Sequence, residues 1–194
     1  MGAWSILEAV NHVLEAGGEA PVNNLGTDSS SSVAVVLRNL KTERLKLLSR
    51  GHTFNTTYPY MTPDINGKIA IGDEILSVDG WQEDQHRAFT VKNGYLYDVD
   101  NETDVFTQQV HLKLLSDVDF DDLRTQVQYQ LMASVAKSFQ RRYQQDQIID
   151  ADLIEDEREA EVAAAEEEVR GANINPKDTT PLGRILKAGI MGYD

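Results

Sequence analysis

The stretch FDDLRTQVQYQLMASVAKSFQRRY, residues 120–143, decides the fold. Phe120, Leu123, Val127, Leu131, Val135, Phe139 and Tyr143 recur at nearly constant steps of four, a spacing that puts them on one helical face as an apolar stripe. Unbroken, a helix over these residues is about 35 Å long at ~1.5 Å per residue, enough to be the spine of a bundle. The acids ahead of it, Asp117, Asp119, Asp121 and Asp122, suit a helix start, because carboxylates there meet the positive end of the helix dipole.

C-terminal to this spine, Ile149, Leu153 and Ile154 open a further helix, which runs through the strong helix formers of Glu155 to Arg170 until Gly171 and Pro176 end it. Toward the N-terminus, two more helices are expected. Ser5 and Glu8 have the spacing of a capping box, and Leu7, Val10 and Leu14, flanked by Ile6 and Val13, form a stripe that Gly17 and Gly18 terminate. Pro21 enforces an extended exit. The pattern restarts near Ser30 as Val33, Val36, Leu37, Leu40, Leu47 and Leu48, with Arg38, Lys41, Arg44 and Lys46 mostly off the stripe and Gly51 as terminator.

Between these helices the period changes. Thr53 to Tyr60 is β-branched and aromatic, and Lys68 to Ile71, Ile75 to Val78 and Val110 to Leu114 read as short strands. Asn66-Gly67 and Asp79-Gly80 are turn dipeptides, and Lys92-Asn93-Gly94 between Phe89-Thr90-Val91 and Tyr95-Leu96-Tyr97 is a strong hairpin signal. The expected fold class is α+β, mainly α: an antiparallel helical bundle with a small antiparallel β-sheet insertion and an extended C-terminal arm. The expected domain plan is residues 1–52 and 117–170 for the bundle, 53–116 for the β insertion, and 171–194 for the arm.

Composition narrows the function. The 194 residues suffice for one sizeable core. Without cysteine there is neither a disulfide framework nor a thiolate zinc site. No signal-peptide pattern is expected at the start, and no run approaches the roughly 20 apolar residues of a membrane span; the chain reads as soluble. The formal charge is −14, and between Asp146 and Arg170 eleven acids face only Arg158 and Arg170, a local balance of −9. Such a surface repels phosphate, so tight DNA binding is not expected.

Reactive constellations are sparse. His12, His52, His86 and His111 are scattered, with no pair spaced to put two metal ligands on one helical face. Neither a Gly-x-Ser-x-Gly turn nor a phosphate loop occurs. Asp98, Asp100, Glu102 and Asp104 alternate like a calcium loop, but Thr103 and Gln109 stand where that loop needs Gly and Glu, so an exposed loop between strands is expected. Two carboxylates converging at roughly 5 to 10 Å could hydrolyse glycans, and a virion-associated glycan hydrolase stays open as one alternative. A soluble helical protein-binding module is another. No cofactor and no metal are expected.

Several runs resemble a known family. Ala9-Val10-Asn11, Val13-Leu14, Gly18-Glu19-Ala20-Pro21-Val22, Leu25 and Ser49-Arg50-Gly51-His52-Thr53-Phe54-Asn55 resemble the tail tubular protein A, or adaptor and gatekeeper, family of short-tailed double-stranded-DNA bacteriophages. Gly94-Tyr95-Leu96-Tyr97-Asp98 looks like its central hairpin, and Ala133-Ser134, Phe139 and Arg142-Tyr143 look like the middle of its long third helix. The likeness covers roughly Ile6 to Arg170, and His52 departs from it, standing where the family implies a Trp. The resemblance implies a non-enzymatic dodecameric ring at the head-to-tail junction. The ring would join the portal protein above to the nozzle, tail tubular protein B, below, with tail fibres as a further lateral contact. It would act in the virion, after assembly in the host cytoplasm, and genome DNA would pass through without specific binding.

The tail differs from the rest. Pro176 and Pro181 bracket a polar linker, beyond which Leu182, Arg184, Ile185, Leu186, Lys187, Ile190, Met191 and Tyr193 are interleaved with glycines. Apolar anchors with two cations on a terminal segment suit a partner-docking arm that orders on a larger surface.

Overall fold

A computed structural model describes residues 4–26, 31–143 and 147–171. Its first helix, α1 (Ile6–Ala16), begins in the expected capping box: the Glu8 N–H donates to Ser5 Oγ at 3.3 Å and the Ser5 N–H to Glu8 Oε2 at 2.8 Å. Glu8's carboxyl is held below its usual range first by the backbone N–H of Ser5 and then by the Ser5 hydroxyl. At the other end, a Cβ on Gly17 would lie 2.6 Å from the Phe139 ring, so only glycine lets α1 end against the spine. Asn11 then fastens the exit. Its side chain both donates to Val22 O at 2.9 Å and accepts from Val22 N at 2.8 Å, pairing like a strand neighbour with the segment that follows Pro21.

Helix α2 (Ser31–Leu48) buries Val33, Val36, Leu40, Leu47 and Leu48. The spine is shorter than its stripe. Phe120–Asp122 forms a 3-10 turn, Leu123 is extended with ψ 151°, and α3 runs over Thr125–Tyr143. Gln128, fully buried, braces the break: its amide donates to the carbonyl oxygens of Phe120 at 2.8 Å and Trp4 at 3.0 Å. That contact ties both the turn and the N-terminal segment to the first turn of α3. The stripe still works as a core face, since Phe120, Leu123, Val127, Leu131, Val135 and Phe139 are all buried. Helices α1, α2 and α4 (Gln147–Gly171) pack on α3, and their contacts form one apolar core.

The β region is built on one strand. β1 (Thr56–Thr57) and β2 (Tyr60–Met61) pair antiparallel with β6 (Val110–Ser116), in register Thr57↔Leu114 and Tyr60↔His111; β3 (Ile75–Gly80) pairs with the other edge, Val78↔Leu114. The Thr53 to Tyr60 run yields only these two short strands, divided around Pro59, whose missing N–H interrupts a ladder. β4 (Phe89–Lys92) and β5 (Tyr95–Asp98) form the expected hairpin, with Asn93 at φ 53° and Gly94 at φ 77°, as a tight turn with two left-handed residues requires. Lys68 to Ile71, expected as a strand, runs beside β5 with hydrogen bonds at Ile69 and Ile71 and a single bridge, Ala70↔Tyr95. A second apolar cluster, including Ile69, Val78, Leu96, Phe106, Leu112 and Leu114, lies here.

Candidate functional site

The run Ser49 to Asn55 joins the two cores. Gly51, at φ +77°, turns the chain out of α2, and a Cβ there would sit 3.2 Å from Leu115 of β6. Asn55 is 2% exposed and does the joining: its Nδ2 donates to Leu48 O and Ser116 O, both at 3.0 Å, and its Oδ1 accepts the His52 N–H at 2.8 Å. The end of α2 and the end of β6 are therefore held by one amide. Loss of this side chain would remove a donor from each of these two carbonyls.

His52, standing where the resemblance implies a Trp, packs its ring into this turn. Its ring stacks on Phe54 at 5.3 Å, with the Arg124 guanidinium 5.7 Å from the Phe54 ring. Nδ1 lies 2.9 Å from Glu168 Oε2 and Nε2 lies 3.0 Å from Leu47 O. Both partners are acceptors, so only a doubly protonated ring donates to both at once. The Thr53 N–H donates to the other Glu168 oxygen at 2.9 Å. One carboxylate of α4 thus anchors the turn, and Arg50 reaches Glu161 of the same helix at 3.8 Å.

A second polar centre closes the β region. Arg87 donates to Asp84 Oδ1 at 2.8 Å and to Asp98 Oδ2 at 2.6 Å, and its guanidinium lies 4.9 Å from the Phe89 ring. Asp98 is fully buried. Burial alone would push its carboxyl up, but hydrogen bonds from Asn101 and Arg87 outweigh it and hold the group at about 2. Asp84 also accepts the His111 N–H at 2.9 Å. These groups line a groove of about 890 Å³ with Thr62, Glu83, Thr103, Phe106 and Gln109. Tyr60 stacks on His111 at 3.9 Å, and the Tyr60 phenol is raised above its usual range chiefly by its hydrogen bond to Glu83, a residue of the groove.

Chemically these groups are binders and braces. The acids of the would-be calcium loop turn to separate partners: Asp98 to Arg87, Asp100 to the Ala88 N–H at 2.9 Å, and Asp104 to Lys68 at 2.8 Å. Asp98 is thus buried rather than part of an exposed loop. Among the described residues no group of three or more His, Asp or Glu is placed to hold a metal ion. Each described carboxylate with a resolved shift, Glu8, Asp64, Glu83, Asp98 and Asp104, is shifted down by the hydrogen bonds it accepts.

The predicted docking residues, Leu182, Arg184, Ile185, Leu186, Lys187, Ile190, Met191 and Tyr193, lie outside the described residues. What sequence reading missed was long-range: Arg87, Asp84 and Glu168 carry no local motif, and only their partners give them roles.

Known proteins supply the last step. A family model described as tail tubular protein matches residues 7–178, covering the helical and β regions together. The chain is also similar to tail tubular protein A of Klebsiella phage KP34, 34% identical over 117 residues, which is 60% of this chain and 61%, less than two thirds, of that protein. A match running from the first turns of α1 past the end of α4 takes in both cores and the junction between them, so the chain belongs to the tail tubular protein family and is a structural protein of a bacteriophage tail.

Proposed function

We propose that this chain is a non-enzymatic adaptor of the head-to-tail junction, a ring of copies stacked beneath the portal and above the nozzle, through which the genome passes without specific binding. The observation that carries the reading is the family match over residues 7–178. In this reading residues 1–52 with 117–170 form the bundle, 53–116 the β insertion and 171–194 the arm. The anchors Leu182 to Tyr193 dock on the portal or a neighbouring copy, and tail fibres meet the ring at its side. The −14 charge suits a conduit that releases phosphate rather than gripping it.

Projection images of the purified protein mixed with a portal test this directly. A ring stacked on the portal is the expected result; a portal that stays bare at saturating protein overturns the adaptor reading. Incubation with bacterial surface polysaccharide tests the non-enzymatic part, and product release that vanishes when one carboxylate pair is neutralised would overturn it.

A further inference from the structure

Helix α4 carries apolar residues on two sides; the fold uses one, and the other is interrupted by Arg158. Leu153, Ala160 and Ala164 face the core. Ala151, Ile154, Arg158, Val162, Ala165 and Val169 follow one another at steps of three, four, four, three and four, which keeps them on a single outward face. All six are exposed, Ile154 by 43%, Val162 by 52% and Val169 by 47%. Acids flank this seam, and Asp152, Glu155, Asp156 and Glu159 have no ion-pair partner among the described residues.

The complementary surface lies on α2. Ala34, Arg38, Lys41 and Leu45, at steps of four, three and four, make its outward face. Arg38 and Lys41 are exposed and, among the described residues, without an ion-pair partner, while Arg44 is bound by Asp117 and Asp119 and Lys46 by Glu43. This face spans about 17 Å and the α4 seam about 27 Å at ~1.5 Å per residue, so one fits along the other.

We propose that the α2 face of one copy docks along the α4 seam of the next, a head-to-tail contact that rests on the ring reading above and names its subunit interface. Pairing α4 with a second α4 would oppose carboxylates, and pairing α2 with a second α2 would oppose cations; both are repulsive. The unlike pairing brings Arg38 and Lys41 to Glu155 and Glu159 while covering Ile154 and Val162, and the two carboxylates outnumber Arg158, the seam cation that lies between them. A contact between two different faces of identical chains propagates and closes into a ring when its rotation allows.

Charge exchange tests the contact. One variant carries Arg38→Glu and Lys41→Glu, another Glu155→Lys and Glu159→Lys. Sedimentation over a range of concentrations reads self-association, and images with the portal read ring loading. Each variant alone is expected to associate at least about tenfold more weakly than the natural chain, as reversed rim charges do. An equal mixture of the two, or all four changes in one chain, restores association. Variants that associate like the natural chain, or well-folded variants whose mixture gives no rescue, overturn the contact but leave the ring standing. A natural chain that forms no ring, alone or on the portal, overturns the ring reading and this contact with it. Should a variant not fold, the natural chain still decides: its association must weaken between 0.1 and 1 M salt, where the screening length falls from about 10 to 3 Å, and association that does not weaken overturns the proposal.

Discussion

The bundle and the β region are stabilised by different means. The helical core is continuous and apolar, with Phe139, Val135, Met132 and Val10 fully buried around α3. The β core is smaller, and beside it sits a charged clasp, Arg87 between Asp84 and the fully buried Asp98. Apolar packing tolerates pH and depends on shape. A buried ion pair inverts both dependences, since its loss leaves an uncompensated charge and its strength follows protonation. Two halves of one chain should therefore fail under different insults.

The largest expected effect is on the apolar side. Phe139 is fully buried and its ring lies where Gly17 leaves room for it. Phe139→Ala should lower stability by about 3 to 5 kcal/mol, the range for an aromatic cavity in a packed core. Denaturant titration reads it directly. A loss below about half a kcal/mol would mean that the spine is not the core, because only exposed sites change so little.

On the charged side, Arg87→Met keeps the stem but removes the guanidinium from Asp98. About 3 kcal/mol of destabilisation is expected, at the low end for a broken buried pair because Asn101 still donates to Asp98. Adding Asp98→Asn should recover part of the loss. If the double variant is as unstable as the two single losses added together, the pair is not coupled.

Acid acts on the charged clasp through Asp98. Asp98 is depressed to about 2 from a usual value near 3.8. A lowered folded-state value means that its contribution is full above pH ~4 and is lost as pH falls toward 2, worth about 2 kcal/mol at ~1.4 kcal/mol per unit. Glu8, Asp64 and Asp104 are also lowered, so the comparison is with Asp98→Asn, which should lose less stability between pH 6 and 2.5. Equal acid sensitivity in the two proteins would show that Asp98 is not the titrating brace.

The same contrast explains what the sequence made legible. Helical stripes and the Asn93-Gly94 hairpin are local patterns, and the structure follows them. The break at Leu123 has a partner that no local pattern shows: the Gln128 amide that holds the Phe120 turn also reaches Trp4, 124 positions away. Asp98 reads as a loop acid because nothing adjacent shows that a hairpin will carry Arg87 onto it. The Ser49 to Asn55 run was visible as a unit, but Glu168 was hidden in an acidic helix. The seam of α4 was legible in its spacing and was masked by the acids around it. Of the docking arm, sequence chemistry alone speaks.

The smallest expected effect lies on that seam, and it tells an unused apolar face from a buried one. Val162 is as apolar as Val135, yet it is 52% exposed while Val135 is fully covered. Burial rather than residue type sets the penalty for substitution. Val162→Ser should therefore change the stability of the dissociated chain by no more than about 0.5 kcal/mol, whereas Val135→Ser places an unpartnered hydroxyl in the α3 core and should destabilise by several times that. Both are measured by denaturant titration at a concentration where the protein is monomeric. A Val162→Ser loss above about 1 kcal/mol would show that α4's outward face is already covered by its own chain, and an α4 covered in that way could not receive a neighbour's α2.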